Sequence, residues 1–254
     1  MVSELSRRWL TTGRLTGNTD QGRKDDSMSD AQGAQPEFQI RVIPVTSLQQ
    51  NASLIWSTAT MECALVDPGG EIDQLMAAAD ELKVKIVAVW LTHGHIDHVG
   101  AATAVKERTG CPIIGPHKAD QWLLDEVETQ SVQYGIAEGK NVCPDRFLEE
   151  GDTVELSGLE FRVLHCPGHS PGHIVLYHQA AQFAFVGDVL FRGSIGRTDL
   201  PRGDHAQLIR SVTDKLWPLG EQIRFIPGHG PSSTFGQERL DNAFVADHVL
   251  GRPG

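Results

Sequence analysis

From residue 38 onward the hydrophobic positions fall into short blocks, and the period of each block predicts an element. FQIRVIPV (38–45), SLIWST (53–58) and MECALVD (61–67) are rich in β-branched and aromatic residues and predict strands, the second and third joined as a hairpin. Asp67-Pro68-Gly69-Gly70 then stops the sheet. In EIDQLMAAADELK (71–83) the apolar residues Ile72, Leu75, Met76, Ala79 and Leu82 recur at helical spacing. KIVAVWLT (85–92) is almost continuously apolar, the mark of a strand covered on both faces, and a helix is expected from about Asp97 to Arg108. Residues 115–150 are irregular and only partly helical in pattern. Strand patterns return at 153–158, 159–166, 173–178 and 182–188, followed by a helix over 204–217, a strand at 222–227 and a helix over 236–250. Two strand-then-helix halves with no linker between them predict one α/β domain over 38–254, an αββα sandwich of two β-sheets flanked by helices.

Residues 1–37 break the pattern. Nine of them are hydrophobic, and Gly, Ser, Thr, Gln and mixed charges lie between, so a disordered leader is expected; Met28 offers a second start. Across the chain, 40% hydrophobic residues are enough for a sizeable core, and the formal charge is −11. No basic run exceeds Arg7-Arg8 or Arg23-Lys24, which argues against a nucleic-acid partner. No stretch reaches the roughly 20 apolar residues of a membrane helix, and the N-terminus has no secretory apolar core. Four scattered cysteines, Cys63, Cys111, Cys143 and Cys166, form neither a disulfide framework nor a zinc knuckle. A cytoplasmic location without membrane attachment follows as the expectation.

The chemistry concentrates in THGHIDHVG (92–100), between an apolar strand and a helix. His93 and His95 are two apart and leave an extended chain on the same side, while Asp97 and His98 come from the first helical turn beyond. Three imidazoles and one carboxylate within six residues would be costly to bury without a metal. Three further loops follow predicted strands: HCPGHSPGH (165–173) with His169, FVGDVLF (185–191) with Asp188, and FIPGHGP (225–231) with His229. All four loops lie at the strand ends where open α/β sheets build their sites. By composition alone His165 and His173 compete with His169 as ligands, and Cys166 is a soft donor nearby, though a small buried neighbour is the simpler reading. His117, His178, His205 and His248 stand alone and read as surface or packing residues.

These motifs in this order resemble the metallo-β-lactamase fold superfamily, and within it the type II glyoxalases (hydroxyacylglutathione hydrolases) of the short bacterial kind without a C-terminal helical domain. The resemblance runs from about Phe38 to the C-terminus through VDPGG, THGHIDHVG, HCPGHSPGH, GDVLF, GRTDLPRGD and FIPGHGP. It implies mixed sheets and two divalent metal ions, Zn foremost with Fe or Mn as alternatives. His93, His95 and His169 would hold the first ion, and Asp97, His98 and His229 the second, with Asp188 bridging. Asp97 and Asp188 would thus be the catalytic carboxylates. Asp67 would orient a ligand imidazole, and His173 would support the site from behind the ligands. Arg197 of GRTD matches a substrate-facing Lys of the family and would anchor a substrate carboxylate; its rival reading is an arginine paired with Asp199 to hold its own loop.

The activity implied is hydrolysis of a small-molecule thioester, S-lactoylglutathione or a related hydroxyacyl thioester, by a hydroxide bridging two ions that together lower the pKa of water. Two departures weaken glutathione selection. Asp199 stands where the family has Tyr, and His229 is followed by Gly230, Pro231 and Ser232 rather than by Tyr. Rival readings on the same fold are a mononuclear iron persulfide dioxygenase, using His93, His169 and Asp188, and a lactonase or β-lactamase. Oligomeric state is not legible.

Overall fold

The computed structural model describes residues 38–251. The leader over 1–37 lies outside the described residues, as do residues 252–254. The first sheet runs β1 (Phe38–Val45), β2 (Gln50–Ser57), β3 (Glu62–Val66), β4 (Lys85–Trp90) and β5 (Ile113–Ile114), in that order. β1 to β3 pair antiparallel, whereas β4 and β5 add parallel strands. The crossover from β3 to β4 is α1 (Ile72–Leu82), which buries Leu75, Ala78 and Ala79, one stripe of its helical period. α2 (Ile96–Val99) and α3 (Ala102–Thr109) lead from β4 to β5, and α4 (Gln121–Leu124) and α5 (Val127–Tyr134) follow.

The second sheet contains β6 (Thr153–Leu156), β7 (Leu159–His165), β8 (Ile174–His178), β9 (Phe183–Gly187), β12 (Arg224–Pro227) and β13 (Ser233–Thr234). Their spatial order is β13-β12-β9-β8-β7-β6, with β12 parallel to β9 and the other neighbours antiparallel. Between β9 and β12 stand a small hairpin, β10 (Leu190–Phe191) with β11 (Ser194–Ile195), and α6 (His205–Arg210), which runs on into a π-helical turn over Ser211–Leu216. α7 (Phe235–Asp241) closes the second sheet.

Strand alternation explains why there are three cores. In β2, Leu54 faces α1 and α3 together with Leu65, Leu75 and Val105, while Ile55 faces the other sheet together with Trp90, Phe161 and Leu176. The Trp90 and Phe161 rings meet across the sandwich at 5.3 Å. In β9, Phe185 points into that middle layer, whereas Ala184 and Val186 pack outward with Leu208, Val212, Phe225 and Phe235. The result is the expected helix-sheet-sheet-helix sandwich. Among the described residues no helix is long and apolar enough to cross a membrane.

Two predicted helices differ from those observed, each for a tertiary reason. The helix expected over 97–108 breaks between α2 and α3, where the amide of Ala101 bonds Pro68 O at 2.9 Å instead of continuing the helical ladder. The helix expected over 236–250 ends at Asp241 because Asn242 turns out of the helix. The Asn242 side chain donates to Phe191 O, Ser194 O and Glu238 Oε2, holding the β10-β11 hairpin against α7.

Candidate metal centre

Four chain segments converge at one seam of the sandwich, all from the C-terminal ends of strands. β4 leads into His93 and His95, with Asp97 and His98 on the short α2; the loop after β7 carries His169; Asp188 follows β9; His229 follows β12. Two groups of side chains bring their ligating atoms within 4.8 Å of one another, His93 with His95 and His169, and Asp97 with His98 and His229. Asp188 lies between them, its Oδ1 3.3 Å from His98 Nε2 and its Oδ2 3.5 Å from His169 Nε2 and 3.7 Å from His229 Nε2. His95 Nδ1 is 2.8 Å from His169 Nε2, and Asp97 Oδ2 is 3.0 Å from His229 Nε2.

Four of the five imidazoles in these groups are oriented from behind by an acceptor at Nδ1. His169 Nδ1 donates to Arg197 O at 2.8 Å, and His229 Nδ1 to Leu48 O at 3.1 Å. His98 Nδ1 donates to Asp67 Oδ2 at 2.9 Å. The hydroxyl of Thr92 is committed as a donor to Asp67 Oδ2 at 2.6 Å, so it accepts from His93 Nδ1 at 3.1 Å. An imidazole that donates through Nδ1 turns the lone pair of Nε2 inward, the tautomer a metal requires. The nearness of Asp67 to His93 and His98 needs no further ion, because its two oxygens already take the amide and hydroxyl of Thr92 and the His98 ring.

Electrostatics give the same reading. Burial works against a charged His98, yet Asp188 and Asp97 outweigh it and hold its pKa well above the ordinary value. Burial alone would raise Asp188, but His98 and the other imidazoles around it push its pKa far below the carboxylate range. His93 and His173 are pushed down by burial first and by neighbouring imidazoles second, and His95 falls to about 3 for the same reasons. Buried and without a hydrogen-bond partner are His93 Nε2, His98 Nε2 and Asp188 Oδ1, all three facing the centre. Orphaned polar atoms of this kind are expensive unless a cation completes them. Nitrogen-rich donors with a few carboxylate oxygens suit a divalent ion of borderline softness such as Zn or Fe, so the residues fit a metal.

The remaining predicted residues fall around this centre. His173 stacks on His93 with ring centroids 4.5 Å apart, and its Nε2 accepts the amide of Asp188 at 2.9 Å, so it steadies the backbone of that carboxylate. His165 stacks instead on His117 at 4.1 Å, away from the ligand groups. Cys166 is buried, and burial pushes its thiol up to about 12. Arg197 makes the pair with Asp199 that its sequence offers beside the substrate-anchor reading. Its Nε and Nη2 each meet an Asp199 oxygen at 2.7 Å, because a planar fork two residues from a carboxylate can close on it in two parallel bonds. What Arg197 offers the centre is its backbone carbonyl, through His169.

Sequence reasoning passed over Asn51. Its amide bonds Gly228 O at 2.7 Å and its side chain donates to Pro227 O and Gly230 O at 3.0 and 2.8 Å, pinning the His229 loop to the first sheet. A polar residue just after a turn carries no local signal of that task. Thr92, next to the histidine motif, could have been found by asking what orients His93.

The family model described as the Metallo-beta-lactamase superfamily matches residues 45–229, the span from β1 to the last histidine of the centre. The chain is 45% identical to the hydroxyacylglutathione hydrolase GloC of Haemophilus influenzae over 207 residues, covering 81% of this chain and 97% of that protein. Among solved structures, the BLEG-1 B3 metallo-beta-lactamase superposes with a TM-score of 0.74 at 35% identity, covering 81% of this chain and 99% of that one. TTHA1623 in a di-iron-bound form gives a TM-score of 0.72 at 39% identity, covering 80% and 99%.

Proposed function

This chain belongs to the metallo-beta-lactamase superfamily and is a hydrolase, and on that premise we propose that it cleaves the thioester of a hydroxyacylglutathione-type substrate at a centre of two divalent ions. His93, His95 and His169 would hold one ion, Asp97, His98 and His229 the other, and Asp188 would reach both. Zinc suits the donors best, and the di-iron form of a relative keeps iron open. The observation that carries the reading is the inward-facing, partnerless Nε2 atoms of His93 and His98 beside Asp188. Its substrate class is supported by the similarity to the curated hydrolase along almost that protein's whole length.

When bound, such a pair of ions makes water acidic enough to act as a nucleophile near neutral pH and polarises a carbonyl. The chain's own part is positioning. Arg197 O, Leu48 O, Asp67 and Thr92 keep four rings in one tautomer and one orientation, so no side chain must reorganise as charge develops. His229 is 28% exposed, and His95 and Asp97 are also half-buried, while His93, His98 and His169 are buried, so the centre opens over His95, Asp97 and His229. A thiolate leaving group needs little protonation, which suits a centre whose acids are held ionised. Arg197, whose backbone carbonyl meets His169, is the candidate anchor for a substrate carboxylate. Its ion pair with Asp199 is solvent-exposed and therefore weak, so a carboxylate of the substrate can take the place of Asp199.

Metal analysis of the purified protein, with parallel assays on S-lactoylglutathione, a β-lactam and glutathione persulfide, tests the reading. Two ions per chain with release of glutathione from the thioester are expected. Turnover of the β-lactam alone would favour the second reading that the similarity to BLEG-1 suggests. One iron per chain with oxygen uptake on the persulfide would replace hydrolysis by dioxygenation.

A further inference from the structure

Asp120 lies at the start of α4, in a stretch with no recognisable motif, and is wholly buried. Its Oδ2 accepts from Gly94 N at 2.9 Å and Ser170 Oγ at 2.6 Å, and its Oδ1 accepts from Gly172 N at 2.6 Å. Gly94 separates His93 from His95, Ser170 follows His169, and Gly172 precedes His173. One carboxylate therefore ties the ligand loop of the first sheet to the ligand loop of the second.

The surrounding chain is shaped for this carboxylate. A Cβ on Gly94 would come within 3.2 Å of Asp120 Cβ, and a Cβ on Gly172 within 2.7 Å of Asp120 Cγ. Glycine at both positions lets two backbone amides approach close enough to donate. Asp120 is itself held by its amide to His117 O, and His117 N returns to Gly172 O, both at 3.1 Å. Its hydrogen-bond partners are two amides and a hydroxyl, which do not neutralise a buried charge. A cation bound among the three imidazoles it braces would place positive charge near this carboxylate. The other half of the centre rests on braces that Asp120 does not touch, His98 on Asp67, which also reaches His93 through Thr92, and the His229 loop on Asn51.

We propose that Asp120 is a positioning residue that aligns His93, His95 and His169 and sets the affinity of that half of the centre for a divalent cation without touching it. The proposal rests on the reading of these three histidines as ligands. In Asp120→Asn, an NH2 group replaces an oxygen opposite an N–H or hydroxyl donor, so at least one brace turns repulsive while the shape is kept. Ser170→Ala removes one brace and leaves the charge.

Metal-depleted wild type and both variants would be titrated with Co2+, following the visible bands and competition with a chelator. The ion of the three-histidine half is identified as the one whose bands survive His229→Ala. Asp120→Asn should weaken that ion by about 10- to 100-fold, the usual cost of losing a group that orients a ligand. The other ion should hold its affinity, and Ser170→Ala should give a smaller shift in the same ion. Equal weakening of both ions, or wild-type affinity for both beside a lowered melting temperature, would overturn the proposal and leave Asp120 a structural residue only. If Asp120→Asn does not fold, Ser170→Ala decides, since an unchanged affinity there is equally contrary. Wild type that takes up no Co2+ would overturn the ligand reading itself, and this proposal with it.

Discussion

The metal centre and the lip over residues 188–202 start from the same strand end and are built in opposite ways. In the centre, His93, His98 and His169 are buried, and four of the five imidazoles are locked by an acceptor behind the ring. The lip is fastened at its base, where Glu238 takes the amide of Gly193 and Asn242 holds the carbonyls of Phe191 and Ser194, and again by the Arg197 carbonyl to His169 and by Arg202 over the Trp122 ring at 4.4 Å. Further out, Arg197 and Asp199 face water with side chains 64% and 68% exposed. The contrast separates two tasks. Reaction geometry is set before substrate arrives, because reorganising charged groups during the reaction would add to the barrier. On the proposed reading, recognition falls to groups that can exchange partners at small cost.

The largest effect expected of any single change in the centre is that of Asp188→Ala, which removes the group facing both halves. Metal content should fall in both together, with thioester hydrolysis reduced by about 10²–10³-fold or more; loss of one ion with activity retained would show that the halves are independent. Next comes Asp67→Asn, which leaves every inward ligand in place but weakens the hold on His98. A fall of about 10- to 100-fold in metal affinity is expected by competition titration, and an unchanged affinity would mean that the ring needs no brace.

The centre should also dominate how stability varies with pH. His93, His95 and His173 have folded pKa values lowered beneath 6.5, so below that pH the unfolded chain binds more protons and stability falls as pH falls. His98 and His229 are raised and act in the other direction, contributing stability below 6.5 that is lost as pH rises through their folded values. From pH 6.5 to about 5 the three lowered rings should outweigh the two raised ones, and melting of the metal-free protein should shift to lower temperature. Loading with Zn2+ displaces the protons of His98 and His229 from the folded state, so the loaded protein should show the steeper dependence. A flatter dependence on loading would remove these two histidines from the metal.

The smallest effect belongs to the lip. Arg197→Ala should raise KM for a glutathione thioester several-fold while leaving kcat, and all turnover of a small uncharged thioester, unchanged, because it removes binding remote from the reacting carbonyl. The backbone carbonyl that orients His169 survives this substitution. Equal loss on both substrates would assign the guanidinium to the structure of its own loop.

Local patterns along the chain were sufficient for the strands from β1 to β4 and from β6 to β9, for α1, and for the ligand-rich run from His93 to His98. A strand or helix is written in the period of its own residues, and these candidate ligands are neighbours in the chain, so both signals are short-range. The family resemblance extended that reading to His169, Asp188 and His229, whose motifs are individually weak. Only the tertiary structure decided which nitrogen of each ring carries the proton, since His169 answers to Arg197 O 28 residues away and His229 to Leu48 O 181 residues away. The same holds for the break between α2 and α3 at the carbonyl of Pro68 and for the braces Asn51 and Asp120. Each is a hydrogen bond chosen by loops that meet in space, and periodicity along the chain carries no record of which distant donor will arrive at a given acceptor.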